Sequence, residues 1–228
     1  MKAEVEMLED YGLHELAWDV ADEVVNDVLV ASPTDAREWC HVFVYDDGLV
    51  EFTAAGAADA SRELVASGRM CVNAHYNAAG VIPGFSRRTG MRTVSLRADM
   101  GSFAYVSMAY WFYSLTALTS ISGLGNLAHV HEMAYAFASC SGLAQLDFRG
   151  FDPSGLTNLN MCFGGCTGLA TMLADASWAL PAGASGTHCF YNCTSLVGGA
   201  GTAYDPGSTA ASSFRIDTAS APGYLTAA

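Results

Sequence analysis

A pattern of apolar and small positions repeats four times between residues 108 and 202. Each copy carries a phenylalanine, then a leucine or cysteine three residues later and a leucine six residues later. The phenylalanines are 25, 26 and 27 residues apart, and the two columns behind them keep this spacing. We therefore predict a structural repeat core made of Phe112, Phe137, Phe163 and Phe190, of Leu118, Leu143, Leu169 and Leu196, and of Cys140, Cys166 and Cys193.

The period of the repeat predicts a fold class. A repeat in the twenties with a Leu-x-x-Leu-x-apolar core, here Leu143, Leu146 and Phe148, is typical of leucine-rich repeats. We predict an α/β repeat fold, a short leucine-rich-repeat solenoid of about four coils with an N-terminal acidic helix and a β-hairpin cap. Its first strand is expected at residues 93–96, and later coils are expected to enter strands at Leu118 and Leu143.

The first 34 residues have the pattern of an acidic amphipathic helix. Apolar residues recur every three or four positions between Leu13 and Val28, with acidic residues between them. Pro33 ends the predicted helix, because the residue before a proline is pushed out of the α region. The apolar stripe either packs against the first β-elements or binds a partner or a second copy of the helix.

A β-hairpin is predicted next along the chain. Two runs rich in β-branched and aromatic residues, 41–45 and 49–53, flank Asp47 and Gly48, a pair that favours a tight turn. We divide the chain into an acidic helical segment (1–34), a β-rich N-terminal cap (35–90), the leucine-rich-repeat solenoid (91–202) and a C-terminal cap or tail (203–228).

Several blocks of the second half resemble a known family. Residues 151–159 and 162–169 are similar to the repeat units of BspA-like leucine-rich-repeat surface proteins. Residues 190–205, and 215–217 followed by 222–226, are similar to the way many members end, so the resemblance covers about residues 90–228. The resemblance implies a bacterial recognition or adhesion module, often at the cell surface, with no catalytic residues to carry over.

The net charge of −13 is confined to one part of the chain. Residues 1–60 carry all of it, whereas acidic and basic residues balance in 61–228. This distribution disfavours binding to nucleic acid or to anionic membranes, which require the opposite sign. The acidic region is either a solvated face or an interaction region.

The sequence also bears on localisation. No apolar run approaches the roughly 18 residues of a membrane span, so none is expected. The start lacks a basic region followed by an apolar stretch, and no secretory signal is predicted. The resemblance implies a cell-surface or secreted protein, and the missing signal favours the alternative of a cytoplasmic or virion-associated one.

The seven cysteines could form a zinc site, form disulfides or remain buried thiols. Cys162 and Cys166, and likewise Cys189 and Cys193, are four residues apart, which suits a four-thiolate zinc site or disulfides. The repeat explains them as buried thiols in two structural columns, because a small and weakly polar side chain fits there. The odd count argues against a complete disulfide framework.

Two charged clusters lie outside the repeat columns, one in the loop between the first and second copies and one before the first predicted strand. His129, His131 and Glu132 are close together in sequence and are weighed as a metal site against ordinary loop residues. The basic run 87–92 is expected to pair with the acidic N-terminal segment, with a partner contact as the alternative.

We predict a noncatalytic recognition module that binds a protein or a glycan and needs no metal or cofactor, since no acid, base or nucleophile constellation is evident. The alternative is an intracellular or phage-borne regulator or inhibitor that docks a basic protein through its acidic N-terminal region. The oligomeric state is left open. Alternation along the strands places four candidate binding residues on the outer face, Thr119, Gln145, Asp147 and Thr171.

Overall fold

The computed structural model describes residues 37–77 and 80–228. This part of the chain contains ten short β-strands and five 3₁₀ turns. The 3₁₀ turns are Phe85–Arg87, Ala98–Ser102, Leu124–Asn126, Pro153–Gly155 and Ala211–Ser213. The strands are β1 (Trp39–Tyr45), β2 (Leu49–Thr53), β3 (Leu64–Cys71), β4 (Thr93–Leu96), β5 (Val106–Ser107), β6 (Ser120–Ser122), β7 (Val130–Glu132), β8 (Gln145–Asp147), β9 (Thr171–Ala174) and β10 (Leu225–Ala227).

A five-stranded mixed sheet begins the described fold, with the order β3-β1-β2-β4-β6. β1 and β2 form an antiparallel hairpin in which Val44 pairs with Val50. Gly48 in its turn has a φ of 86°, and a Cβ there would lie 2.3 Å from the Gly90 carbonyl oxygen. Only glycine fits such a turn without strain. β2 then pairs in parallel with β4, and β4 with β6, so the hairpin continues directly into the repeated part.

Two smaller parallel ladders follow. β8, β9 and β10 form a three-stranded sheet, with β9 in the centre. β5 pairs with β7, and single parallel bridges extend this ladder from Glu132 to Asn158 and on to Ser185.

The segments that carry the phenylalanines are stacked turns. In the first copy, Tyr110 and Ser114 have φ values of 61° and 63°, on either side of Phe112. Hydrogen bonds between residues i and i+3 close each turn, for example from the Trp111 amide to the Met108 carbonyl at 3.1 Å. Alternate amides donate instead to the next copy, as from Tyr110, Phe112 and Ser114 to the carbonyls of Ala134, Ala136 and Ala138 at 3.0, 2.9 and 2.8 Å.

An aromatic column fills the centre of these turns. The rings of Phe112, Phe137, Phe163 and Phe190 are fully buried, and successive centroids are 5.4, 5.5 and 5.3 Å apart. Phe214, from the C-terminal part, packs edge-on against Phe163 and Phe190 at 5.3 and 5.8 Å. Burial of this kind contributes roughly 1.5–3 kcal/mol per side chain.

The predicted leucine-rich-repeat solenoid with α/β character is wrong. The described residues are mostly sheet and turn, they contain no α-helix, and their largest sheet mixes antiparallel and parallel strands. The physical reason lies in the backbone of each copy. An α-helix requires negative φ at every residue, whereas each copy has positive φ on both sides of its phenylalanine. The predicted acidic helix of residues 1–34 lies outside the described residues.

Candidate functional site

Three of the four predicted binding residues lie on the three-stranded sheet, and the fourth lies next to the five-stranded one. Gln145 and Asp147 begin and end β8, and Thr171 on β9 is in register with Gln145. Gln145 is exposed, whereas Asp147 and Thr171 are partly buried. Thr119 precedes β6, and its hydroxyl donates to the Arg92 carbonyl at 3.0 Å. The structure thus groups three of the four residues and places Thr119 immediately before β6, the edge strand of the adjoining sheet.

An open cleft of about 550 Å³ lies between β6 and β8, which belong to different sheets. Residues 121–126 form one wall, and Gln145, Asp147, Arg149 and Gly150 form the other. The turn Leu124–Asn126 approaches the second wall closely, since a Cβ on Gly125 would lie 2.4 Å from the Arg149 carbonyl oxygen. Glycine at 125 therefore allows the two walls to approach each other at this point.

A carboxylate and a guanidinium form a fixed pair on the wall of the cleft. Arg149 donates from Nη2 to Asp147 Oδ2 at 2.6 Å and from Nε to Oδ1 at 2.9 Å. Hydrogen bonding from Arg149 holds the pKa of the Asp147 carboxyl below its ordinary value. With the exposed Gln145 amide, the wall presents planar donors and acceptors to a polar ligand. Sequence reasoning missed Arg149, because it follows the strand and belongs to no repeat column.

A second, smaller cleft of about 350 Å³ adjoins the first and shares Gly150 with it. Its lining includes Asp152, Ser154, Asp175 and Ser177. The Gly150 amide donates to Asp175 Oδ2 at 2.7 Å, which fixes the boundary between the two clefts. The two clefts therefore lie next to each other, with Gly150 in the lining of both.

The cysteines are placed for packing rather than for chemistry. All seven are buried free thiols. The Sγ atoms of Cys140, Cys166 and Cys193 donate to the carbonyls of Phe112, Phe137 and Phe163 in the preceding copy, at 3.0, 3.0 and 3.1 Å. Burial raises the pKa of Cys140 and of Cys193 to about 12, so the thiolate needed to bind zinc or attack a substrate is disfavoured.

The histidine cluster of the sequence is dispersed. The His131 ring stacks on Tyr105 with centroids 4.3 Å apart, while Glu132 contacts His75 Nδ1. His129 is exposed in a turn with a φ of 53°. In residues 37–77 and 80–228, no group of three or more His, Cys, Asp or Glu side chains is arranged to hold a metal ion. The pair of His75 and Glu132 joins residues far apart in sequence, so local spacing could not predict it.

The basic run is exposed beside the hairpin turn. Arg87, Arg88 and Arg92 are all exposed, and the Arg88 guanidinium lies 5.1 Å from the centre of the Phe85 ring. The Arg92 amide donates to the Gly48 carbonyl at 2.8 Å, which fixes this run next to the turn. The predicted pairing of this run with the acidic segment involves residues outside those described.

Comparison of the chain with protein-family models, curated proteins and solved structures found no match. The resemblance to BspA-like surface proteins therefore stays a prediction. Among the described residues, no helix is long and apolar enough to cross a membrane.

Proposed function

We propose that this chain is a noncatalytic recognition module that binds a protein or a glycan at the cleft between β6 and β8. The observation that carries the proposal is the position of Gln145 and Asp147. Strand alternation predicts that both point outward, and both line the wall of an open polar cleft. An amide, a carboxylate and a guanidinium on one wall suit a neutral or zwitterionic polar ligand, because each group offers oriented hydrogen bonds.

We expect the cleft to bind its ligand without catalysing a reaction. Its ionisable side chains, Asp147 and Arg149, neutralise one another, and the buried thiols lie elsewhere. The cleft is open, so an extended chain such as an oligosaccharide or a peptide loop can lie along it and continue into the second cleft at Gly150. Such a module is proposed to act at the cell surface or after secretion.

The proposal is tested by presenting the purified full-length chain to a glycan array and to a panel of extracellular proteins. We expect saturable binding to a polar glycan or protein loop that is insensitive to added zinc or calcium. Binding that requires a metal, or turnover of the captured ligand, would contradict a noncatalytic cleft.

A second candidate function rests on the charge distribution. Residues 1–60 carry a net charge of −13, whereas the rest of the chain is neutral. An intracellular or phage-borne regulator could dock a basic protein through this region, with attraction that falls as salt screens it. Capture of a basic protein that is lost both at high salt and on deletion of residues 1–34 would favour this candidate. Capture that persists at high salt and in the chain without residues 1–34 would contradict it.

A further inference from the structure

A cluster of three tyrosines forms an aromatic surface that the proposed cleft does not use. Tyr110 and Tyr135 stack with centroids 4.7 Å apart and an interplanar angle of 11°. Tyr113 lies 5.4 Å from Tyr110 and 6.3 Å from Tyr135. All three are partly exposed, and none of them belongs to the lining of the cleft. We call Tyr110, Tyr113 and Tyr135 the tyrosine surface.

The fold does not require tyrosine at these positions. Met161 and His188 occupy the positions of the third and fourth copies that are equivalent to Tyr110 and Tyr135. The four residues have φ between 52° and 61°, where tyrosine rarely occurs. At the position equivalent to Tyr113, the second and third copies carry alanine and glycine. Packing of the repeat therefore does not explain the three tyrosines, and a binding role at the surface does.

The hydroxyl groups of the tyrosine surface are available to a ligand. Among the described residues, none of the three hydroxyls makes a hydrogen bond, and none is a buried atom without a partner, so each reaches the solvent. Burial, followed by the neighbouring Tyr135 and Tyr113, raises the pKa of Tyr110, so this hydroxyl is uncharged at neutral pH. A protonated phenol both donates and accepts hydrogen bonds.

The turn segments around the tyrosine surface carry no charge. Residues 108–118, 133–143 and 159–169 contain no Asp, Glu, Lys, Arg or His. Their exposed polar side chains include three hydroxyl groups, those of Thr116, Ser141 and Thr167. A surface of this kind does not attract or orient an ionic partner, because steering requires charge. Recognition here must therefore use hydrogen bonds and contacts with the aromatic rings.

These features match the chemistry of an uncharged sugar. The hydroxyls of a sugar ring donate and accept hydrogen bonds, and its C–H groups pack on aromatic rings, whose faces carry negative quadrupole charge. Protein-binding surfaces combine tyrosine with arginine at their centres, whereas these turn segments contain no arginine. We propose that the tyrosine surface is a second binding site, separate from the cleft, for an uncharged oligosaccharide.

Titration of the full-length chain with defined hexasaccharides tests this site. The probes are hexasaccharides of glucose, mannose and N-acetylglucosamine, which are uncharged, and of galacturonic acid, which is acidic. In a chain with carbon-13 in its tyrosine rings, at least one uncharged probe should shift the NMR signals of Tyr110, Tyr113 and Tyr135 saturably, and the acidic probe should not. No response of these signals to any uncharged probe, or a stronger response to the acidic one, would overturn the proposal.

Matched variants locate the bound sugar. Tyr113→Ala should lower the affinity for the responding probe about tenfold, and the fold should tolerate it because Ala138 occupies the equivalent position of the second copy. Gln145→Arg with Asp147→Arg, which alters the cleft, and Leu64→Ser, at a side chain of β3 that is 43% exposed, should leave the affinity unchanged.

Three results with these variants would overturn the proposal. The first is undiminished binding of the sugar by Tyr113→Ala. The second is loss of binding in the cleft variant, which would assign the sugar to the cleft. The third is capture of a protein from the extracellular panel that Tyr113→Ala abolishes, with no response to any sugar, which would identify a protein interface instead.

Discussion

At the scale of single residues, Phe137 shows how the repeated copies are joined. Its ring lies between those of Phe112 and Phe163, with centroids 5.4 and 5.5 Å away, and the edge of Phe148 closes a third side at 6.4 Å. Its amide donates to the Cys162 carbonyl at 2.9 Å, so the side chain and the backbone of Phe137 both contact the third copy of the repeat. The near-equal spacing of the phenylalanines along the sequence was sufficient to predict that Phe137 belongs to the aromatic column. Residues at equivalent positions of successive copies lie one above the other.

Phe137→Ala should lower the free energy of unfolding by about 3–5 kcal/mol, since it removes a fully buried ring and leaves a cavity between two others. Tyr191→Ala, at an exposed ring in the next copy but one, is the matched control and should change little. Thermal and denaturant unfolding measure both. A melting temperature unaffected by Phe137→Ala would contradict the aromatic column.

The cysteines give a second test at this scale. A thiol reagent at pH 8 should modify none of the seven in the native chain, because burial excludes the reagent and raises the pKa of thiols such as Cys140. In denaturant without reductant all seven should react. A count below seven would indicate a disulfide, and rapid reaction of the native protein would indicate that a thiol is exposed.

At the scale of elements, the sequence predicted strands better than it predicted turns. The pair of Asp47 and Gly48 located the hairpin, and residues 93–96 were placed correctly as β4, because β-branched alternation and a required glycine are local signals. The strands expected to start at Leu118 and Leu143 begin two residues later, at Ser120 and Gln145. The two leucines instead lie in the preceding turns and point into the core.

The turns themselves could not be predicted from residue type. Tyr110, Tyr135, Met161 and His188 occupy equivalent positions with φ between 52° and 61°, where tyrosine and methionine rarely occur. Hydrogen bonds to the neighbouring copy offset the energetic cost of this conformation. The sequence of a single copy does not predict these hydrogen bonds. Edge strand β3 was also missed, since its residues mix apolar and polar types without strict alternation.

Asp217 organises the C-terminal elements with both of its carboxylate oxygens. Oδ2 accepts from the amides of Ala200 and Thr202 at 2.8 and 3.0 Å, and Oδ1 accepts from the Thr202 hydroxyl and the Gly223 amide at 2.6 and 3.1 Å. Burial alone would raise the pKa of Asp217, but these hydrogen bonds outweigh it and lower the pKa below its ordinary value.

Stability should therefore depend on pH through Asp217. A carboxyl whose pKa is lower in the folded state stabilises the fold above its unfolded pKa of about 3.9, and this contribution is lost as the pH falls through the folded pKa. Asp217→Asn should cost about 1–3 kcal/mol at pH 7, because the amide nitrogen would face backbone donors.

Denaturant unfolding between pH 7 and pH 2.5 measures this dependence. The loss of stability at acid pH should be smaller in Asp217→Asn than in the unmodified chain. Asp46→Asn, at an exposed residue of the hairpin turn, serves as the control. Equal stability of Asp217→Asn and the unmodified chain across this range would contradict the assigned role.

At the scale of the whole molecule, the cleft exists because two sheets meet without joining. β6 ends the five-stranded sheet and β8 begins the three-stranded one, and the loops that follow them approach each other at Gly125 and Gly150. Alternation along β8 identified Gln145 and Asp147 as outward residues. The gap between the sheets could not be predicted, because the period of the repeat leads one to expect continuous pairing from copy to copy.

The acidic region and the cleft are different parts of the chain, and each supports a different kind of binding. The acidic region lies within residues 1–60, whereas the cleft lies in a part whose charges balance. Recognition at the cleft should therefore depend on oriented hydrogen bonds and vary little with salt, in contrast to docking through the acidic region.

The recognition proposal is tested most directly by the ligand affinity of the variant Gln145→Arg with Asp147→Arg. Two arginines would displace the amide and break the pair with Arg149, so we expect binding to fall at least tenfold while the melting temperature stays unchanged. Thr194→Arg with Ser212→Arg, at exposed positions outside the cleft lining, should bind normally. Full retention of binding by the cleft variant would contradict the account.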